Sequence, residues 1–325
     1  MKRAVRVALF TFAVLIPSLA HAQSWPTRPV TMVVPFAAGG PMDVVGRIMA
    51  ASLSEQLGQQ VIIENVGGGG GMTGAARVAK AAPDGYQFVL GNVGTHAVSQ
   101  SLFKNPPYRV VTDFAPVALF ADLSLVLVAR KDLPVSDLKS FIAYARANQD
   151  KMQFGSASAG SATHLGCALL NAAIGVKVTH IPYRGGGPAM QDLVGGRIDY
   201  LCIDTPIAIP LIESGQIKAL AILTRTRSAS LPDLPSAQEQ GLAGFEAANW
   251  AAFFMPKGTP APIVAKLQAA SAAAIGSDAV RKRMKEIGVD PVAPERRSSD
   301  YLAKFVDAEI AKWAGPVKAS GLATD

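Results

Sequence analysis

Short apolar segments with the pattern of β-strands alternate with longer amphipathic segments almost from the start of the chain. Residues Val30–Val34, apolar except for Thr31, are typical of a buried strand, and residues 42–57 carry apolar side chains at helical spacing. A second strand is predicted over 61–65, a helix over 73–81 and a third strand over 87–91. This order predicts an α/β fold in which helices pack on both faces of mainly parallel sheets.

A second series of alternating strands and helices begins near Ser124, and it predicts a second sheet. Three helical runs follow at the C-terminal end, and we expect them to pack back on the first sheet. The chain would then cross between two lobes twice, near 120–124 and near 242–249, and two crossings make a hinge. The predicted division is lobe I over 23–122 and 246–325 and lobe II over 123–245.

The first 22 residues have the composition of a secretory signal peptide. A basic start precedes an apolar stretch, and Ala-His-Ala before Gln23 predicts cleavage after Ala22. Removing residues 1–22, with three basic and no acidic residues, lowers the formal charge from +7 to +4. We therefore expect an exported, periplasmic protein. Its mild basicity suits a small anionic ligand, and because clusters of Lys and Arg interleaved with aromatics are missing, nucleic acid is not expected as a partner.

The chain has only two cysteines, Cys167 and Cys202. Export permits a disulfide, but the sequence does not bring the two sulfurs together, and two separate buried thiols are the expectation. The histidines after residue 22 are His96, His164 and His180, and they lack the spacing of a metal site. We expect neither a metal nor a cofactor.

Five consecutive glycines precede the second predicted helix, and Gly69, Gly71 and Gly74 fit the pattern G-x-G-x-x-G. A dinucleotide site needs an acidic residue at the end of the next strand, where this chain has Gly-Asn, and the lone pattern is a weak signal. We interpret the run as a permissive loop in which glycine tolerates positive φ. Gly70→Ala is then expected to leave ligand affinity nearly unchanged, whereas Gly39→Val should disrupt the ligand loop.

Small and hydroxyl residues follow several predicted strands, at the points where helices begin. Helix starts leave backbone N–H groups without partners and carry a partial positive charge, so each is a potential anion site. Open α/β sheets bind ligands at these carboxyl ends of strands. The four strand exits are the segments PFAAGGPMD, GNVGTHA, FGSASAGSATHL and LCIDTPIA. Together they predict one cleft shared by both lobes.

These strand exits lie within longer motifs that follow one another along nearly the whole chain after residue 22. They include WPTRPVTMVVPFAAGGPMD, APDGYQFVLGNVGTHAVSQSLF, HIPYRGGGPAMQDLVGGRIDY, FMPKGTP and EIAKWAGPVKASG. In them the chain resembles the extracytoplasmic solute receptors of tripartite tricarboxylate transporters, the Bug receptors. The resemblance implies a two-lobed periplasmic binding protein of type II, a monomer that delivers a small carboxylate to the membrane components of such a transporter.

The resemblance also implies which residues hold the ligand, through backbone amides and uncharged side chains rather than arginine. The expected contacts are Phe36, Ala37, Ala38, Gly39, Gly40, Asn92, Thr95, Ser156, Ser158, Ser161 and Thr163. The fourth strand exit adds Asp204 to the expected ligand-binding residues. Met42 stands where the family commonly has Ser or Thr, and Ile203 stands where it often has an acid. The ligand class therefore stays open between a di- or tricarboxylate, an aromatic acid and an acidic amino acid.

Two other classes of function remain as alternatives. A serine hydrolase on the same fold would use Ser161 or Ser158 with His164, although the segment GSASAG lacks the G-x-S-x-G pattern of a nucleophile elbow. A sensor for a membrane kinase would use the same closure as a transport receptor. The sequence favours a receptor that is not an enzyme.

Overall fold

The computed structural model describes residues 25–319. The strands in this part of the chain are β1 (Val30–Val34), β2 (Val61–Asn65), β3 (Gln87–Asn92), β4 (Phe114–Arg130), β5 (Gln153–Ser156), β6 (Thr179–Pro182), β7 (Tyr200–Asp204), β8 (Ile217–Ile222), β9 (Ala248–Pro256) and β10 (Val289–Pro291). The helices are α1 (Pro41–Leu57), α2 (Met72–Ala79), α3 (Ser99–Leu102), α4 (Val110–Asp113), α5 (Leu138–Asn148), α6 (Ala162–Ile174), α7 (Gly186–Val194), α8 (Thr205–Glu213), α9 (Ala261–Gly276), α10 (Asp278–Glu286) and α11 (Ser299–Ala319). Strands and helices thus alternate as the sequence predicts.

The strands hydrogen-bond in the order β2-β1-β3-β9-β4-β7-β5-β6, with β10 and β8 also pairing with β4. In the first half β2, β1 and β3 are parallel, whereas β9, β4 and β10 are antiparallel to their neighbours. In the second half β6, β5 and β7 are parallel, β4 pairs antiparallel with β7, and β8 pairs antiparallel with β4. The two-lobed α/β fold is confirmed, and each lobe is built on a mixed sheet with a three-stranded parallel part.

Strand β4 runs through both lobes. Up to Ser124 it pairs with β9, and from Leu125 onward it pairs with β7, while β8 pairs with it from Val126. The change of partner falls beside the first predicted crossing, and β9 begins within the second, at Ala248. These two points support the proposed division into lobe I and lobe II.

Each lobe buries apolar side chains on both faces of its sheet. In lobe I, Met32 and Val33 are adjacent in β1 and belong to different core clusters, because successive side chains of a strand point to opposite faces. Helix α1 covers the Met32 face with Val45, Met49 and Leu53, which are fully buried. Lobe II has two further clusters of the same kind. These cores fix the strand ends, and with them the loops that carry the predicted site.

Cys167 of α6 and Cys202 of β7 form a disulfide, with an S–S distance of 2.27 Å and a Cα–Cα distance of 5.3 Å. The expectation of two separate thiols is therefore wrong. Helix α6 packs against β7 in lobe II, where both cysteines belong to one buried cluster. This neighbourhood is set by tertiary packing, which the spacing of two cysteines in a sequence does not reveal.

The predicted signal peptide, residues 1–22, lies outside the described residues. Within residues 25–319, none of the helices combines the length and the apolar character that crossing a bilayer requires.

Candidate functional site

A small cavity lies between the two lobes at the ends of several strands. The centre of a water-sized sphere can occupy about 20 Å³ of this cavity. It is lined by Phe36, Pro41, Met42, Asn92, Ala157, Ser161, Ala162, Thr163, Gly186 and Asp204. Of the predicted contacts, Phe36, Asn92, Ser161, Thr163 and Asp204 are in this lining. No lysine or arginine is found among the described residues that line it.

The lining comes from the N-terminal ends of four helices. Pro41 and Met42 begin α1, Ala162 begins α6 and Gly186 begins α7, and Asp204 is the N-cap of α8. Each helix start carries roughly half a positive charge on its unpaired amides, and this charge favours an anion. The convergence supplies positive potential to the cavity from the backbone alone.

Three of these helices, α1, α7 and α8, begin without a hydrogen bond from an N-cap side chain. The N-cap residues are Gly40 for α1 and Gly185 for α7, neither of which has a side chain that can cap. The first intrahelical hydrogen bond of α1 comes from Val44, whose amide donates to the Gly40 carbonyl at 3.0 Å. Of residues 25–319, none accepts from the amide of Met42, which therefore remains available to a ligand.

Asp43 holds the loop between β1 and α1 in place. Its carboxylate accepts from the Gly39 amide at 2.9 Å, from Arg47 at 2.9 and 3.0 Å and from Asn65 Nδ2 at 2.9 Å. Burial alone would raise the pKa of Asp43, but the hydrogen bonds from Arg47, Gly39 and Asn65 outweigh it and lower the pKa below its ordinary value. The Gly39 amide is thus used inside the loop and does not point at the cavity.

The rest of this loop contacts lobe II. The Ala37 amide donates to the Arg184 carbonyl at 3.2 Å, and Gly185 approaches Ala37 so closely that a Cβ there would lie 2.9 Å from the Ala37 Cβ. Gly40 lies against the amide of Gly186. Ala37, Ala38, Gly39 and Gly40 are therefore placed at the rim where the lobes meet, outside the cavity lining. The structure is in a closed arrangement.

Asn92, at the end of β3, presents an amide to the cavity. Its Oδ1 accepts from the Thr95 amide at 3.1 Å, which fixes the orientation of the side chain. Its Nδ2 has no partner within the described part of the chain. Thr95 is fully buried behind Asn92, and its hydroxyl contacts Asn92 and, at 2.8 Å, His96 Nδ1. Thr95 thus orients Asn92 and does not line the cavity.

The loop after β5 supplies two hydroxyls to the cavity and keeps two behind it. Ser161 and Thr163 line the cavity with their Oγ and Oγ1 atoms 3.0 Å apart. Ser156 is fully buried, and its Oγ contacts His180 Nε2 at 2.7 Å. Ser158 accepts from the Gly70 amide of lobe I at 2.9 Å. Ser156 and Ser158 therefore support the loop and the contact between lobes.

The glycine run takes part in the contact between lobes, which the sequence interpretation missed. Gly70 has a φ of +70°, and a Cβ there would lie 2.4 Å from the Ala159 carbonyl oxygen of lobe II. Its amide donates to Ser158, as described above. Because Gly70→Ala would disturb the closed form, the expectation that it leaves ligand affinity unchanged is replaced below.

Sequence reasoning also missed the apolar part of the lining, namely Pro41, Met42, Ala157, Ala162 and Gly186. One signal was present, because the triple glycine of PYRGGGPA stands at a strand exit like the others. Met42 was noted only as a departure from the family pattern. Apolar side chains are hard to assign to a site from sequence because most of them form the core.

The serine and histidine residues lack the geometry of a hydrolase. His164 donates its backbone amide to Ser161 Oγ at 3.3 Å, while its Nδ1 accepts from the Gly160 amide at 3.1 Å. Its ring stacks on His180 with centroids 4.0 Å apart. Burial and the neighbouring His180 lower the pKa of His164 to about 3. Within residues 25–319, no imidazole nitrogen is bonded to Ser161 Oγ, the one serine that lines the cavity.

Comparisons with known proteins agree with this site. Residues 45–322 match the model of the tripartite tricarboxylate transporter family receptor. Protein BugT of Bordetella pertussis is 35% identical over 316 residues, which cover 97% of this chain and 96% of BugT.

Three solved structures have the same fold. The periplasmic binding protein BugD has a TM-score of 0.90 at 39% identity, covering 93% of this chain and 100% of that one. MatC of Rhodopseudomonas palustris, solved with bound malate, has a TM-score of 0.87 at 42% identity, covering 90% and 100%. A second R. palustris protein, solved with adipate, has a TM-score of 0.87 at 38% identity, covering 91% and 98%.

The fold and the cavity between its lobes define a periplasmic solute-binding protein. The chain belongs to the tripartite tricarboxylate transporter receptor family, as the resemblance in its motifs indicated. Members of this family are solute receptors and not enzymes.

Proposed function

We propose that this protein captures a small carboxylate in the periplasm by closure of its two lobes and delivers it to the membrane components of a tripartite tricarboxylate transporter. The observation that carries the proposal is the convergence of four helix N-termini, from both lobes, on a cavity lined by no cationic side chain. Such a site favours an anion, because each helix start offers unpaired N–H donors and a partial positive charge.

The available donors are sufficient to hold a carboxylate. The Ser161 hydroxyl already donates to the Ser158 carbonyl at 2.7 Å. The Met42 amide, Asn92 Nδ2 and the Thr163 hydroxyl give three hydrogen bonds, each supplying about 1.5 to 3 kcal/mol to a charged acceptor. Their sum, about 4.5 to 9 kcal/mol, exceeds the lower estimates of the association cost, which start near 4 kcal/mol. Micromolar binding, about 8 kcal/mol, requires further donors, which the uncapped amides at the start of α7 supply without a salt bridge.

Ligand entry requires the lobes to separate. A cavity of about 20 Å³ holds little more than one water molecule. The bond from Gly70 to Ser158 and the bond from Ala37 to Arg184 join the lobes in the closed form. Contacts of one ligand to both lobes would favour a closed form whose cavity is widened to hold the ligand, and differential contact is what shifts such an equilibrium. The membrane partner would recognise the closed receptor.

Among the acids left open by the sequence, the relatives favour a dicarboxylate. The malate- and adipate-bound proteins are 42% and 38% identical to this chain over nine-tenths of its length. Both ligands carry two carboxylates on an aliphatic chain. We therefore propose an aliphatic dicarboxylate ahead of a tricarboxylate, an aromatic acid or an acidic amino acid.

Isothermal titration calorimetry with succinate, malate, adipate, citrate, benzoate, aspartate and glutamate tests the proposal. At least one carboxylate should bind with a micromolar dissociation constant, and Asn92→Leu should weaken it by about 10- to 150-fold, the equivalent of one hydrogen bond to a charged group. The control is Asn148→Leu, since within residues 25–319 the side chain of Asn148 bonds only to the Tyr144 carbonyl of α5. Heats indistinguishable from dilution across the panel would refute the proposal.

A further inference from the structure

Asp204 is the only ionisable side chain among the residues that line the cavity. It is 2% exposed, and its Oδ1 accepts from Asn249 Nδ2 of β9 at 2.9 Å. Within residues 25–319, the hydrogen bonds found to this carboxylate come from Asn249 and from the backbone amide of Asp204 itself. A buried carboxylate in a site for anions has to be reconciled with its ligand, because two like charges in so small a space strongly disfavour each other.

The surroundings of Asp204 offer no cation to offset a second negative charge. The side chains that face it are Asn249 of β9, Leu125 opposite it on β4, and, across the cavity, Asn92 of β3, Met42 of α1 and Thr163 of α6. All of them are uncharged. Asp43, the nearest acid of α1, is bonded to Arg47, Asn65 and the Gly39 amide.

We propose that this receptor binds a dicarboxylate together with one proton, which Asp204 takes up as the ligand enters. The proposal rests on the proposed function and specifies its ligand. In the free protein the helix N-termini face a single anion, the Asp204 carboxylate. When a ligand carboxylate occupies the same cavity, protonation of Asp204 removes the repulsion and gives the side chain an O–H group that can donate to the ligand. The proton comes from solvent, and no bond other than O–H is formed.

Burial raises the pKa of Asp204 to about 7, against the hydrogen bonds from Asn249 and its own amide, which lower it. A ligand carboxylate beside it raises the pKa further. This raised pKa fixes the direction in which ligand affinity changes with pH. Below pH 7 the free protein already carries the proton and affinity is constant, whereas above pH 7 each pH unit should weaken binding by up to about tenfold.

The histidines do not interfere with this measurement. Burial lowers the pKa of His96 to about 3 and that of His180 to about 4, and burial together with His180 lowers that of His164 to about 3. All three are neutral throughout the range from pH 6 to pH 9, so they release or take up no proton there.

The test is calorimetry at pH 8 in buffers of different ionisation enthalpy, using succinate and adipate, which lack a hydroxyl or amino group, beside malate and aspartate. Uptake of about one proton per bound dicarboxylate, absent at pH 6, supports the proposal. This proton uptake is measured on the wild-type protein, so it does not depend on a variant that folds. Asp204→Asn should bind without uptake and with an affinity independent of pH, because the amide retains both the acceptor for Asn249 and a donor.

Asp290→Asn is the matched control. Asp290 also has a raised pKa, from burial and from Asp122, but it lies outside the cavity, so this variant should retain the uptake. Dicarboxylate binding at constant affinity from pH 6 to pH 9 with no proton uptake would overturn the inference and leave the proposed function standing. Binding of malate or aspartate alone, without uptake, would overturn it as well, because a hydroxyl or ammonium donor would then satisfy an ionised Asp204. If no carboxylate binds at all, the proposed function fails with it.

Discussion

Gly70→Ala should weaken ligand binding by obstructing the closed form. The added Cβ would lie 2.4 Å from the Ala159 carbonyl oxygen, roughly 1 Å short of the van der Waals contact distance of about 3.5 Å. The obstructing atom is backbone and belongs to the other lobe, so the overlap exists only when the lobes are closed. Overpacking of this kind costs about 1 to 3 kcal/mol, which corresponds to a loss of about 5- to 150-fold in affinity.

The substitution also imposes a second, general cost, because alanine is disfavoured at a φ of +70° by about 1 to 2 kcal/mol. Gly58→Ala isolates this cost, since Gly58 has a φ of +68° and a Cβ there would meet nothing within 4 Å. Both variants should lose similar stability in urea denaturation, but only Gly70→Ala should lose affinity in calorimetry with the best-binding carboxylate of the panel. Equal affinities for the two variants would refute the reasoning.

Two further predictions concern stability. Replacing Cys167 and Cys202 with alanine removes a cross-link across 35 residues, which should lower the free energy of unfolding by about 2 to 4 kcal/mol; urea denaturation of the oxidised parent and the double variant measures it, and equal midpoints at equal slopes would contradict the disulfide. Burial lowers the pKa of His96 to about 3, and burial with His180 lowers that of His164 to about 3, so stability should be full above the unfolded pKa near 6.5 and fall below it by up to about 1.4 kcal/mol per pH unit for each histidine. Unfolding free energies that stay constant between pH 6.5 and pH 4 would show that these rings are not buried as neutral groups.

The alternation of strands and helices was predictable because it depends on local periodicity. The same local signals place helix starts at strand exits, which is why Asn92, Ser161, Thr163 and Asp204 could be assigned to one cleft from the sequence. Phe36 was assigned through the family resemblance. The sequence did not predict that β9 pairs antiparallel with β3 and β4, or that β8 pairs antiparallel with β4. The direction of a strand in a sheet depends on how distant segments of the chain meet.

The sequence also could not show which side chains line the cavity and which lie behind the lining. Thr95 and Ser156 are hydroxyl residues at strand exits, but their hydroxyls bond to His96 and His180, respectively. Whether a hydroxyl faces a ligand or a neighbouring side chain depends on rotamers and packing. The contact of Gly70 with Ser158 joins residues 88 positions apart, so no local sequence pattern predicts it.

The most direct test of the account is a crystal structure with a bound dicarboxylate. The account predicts one ligand carboxylate within hydrogen-bond distance of the Met42 amide and Asn92 Nδ2 of lobe I and of the Thr163 hydroxyl of lobe II. A ligand found instead in the groove of about 300 Å³ beside the hinge, which Asp290 helps to line, or held by one lobe alone, would contradict the claim that helix N-termini of both lobes bind the anion.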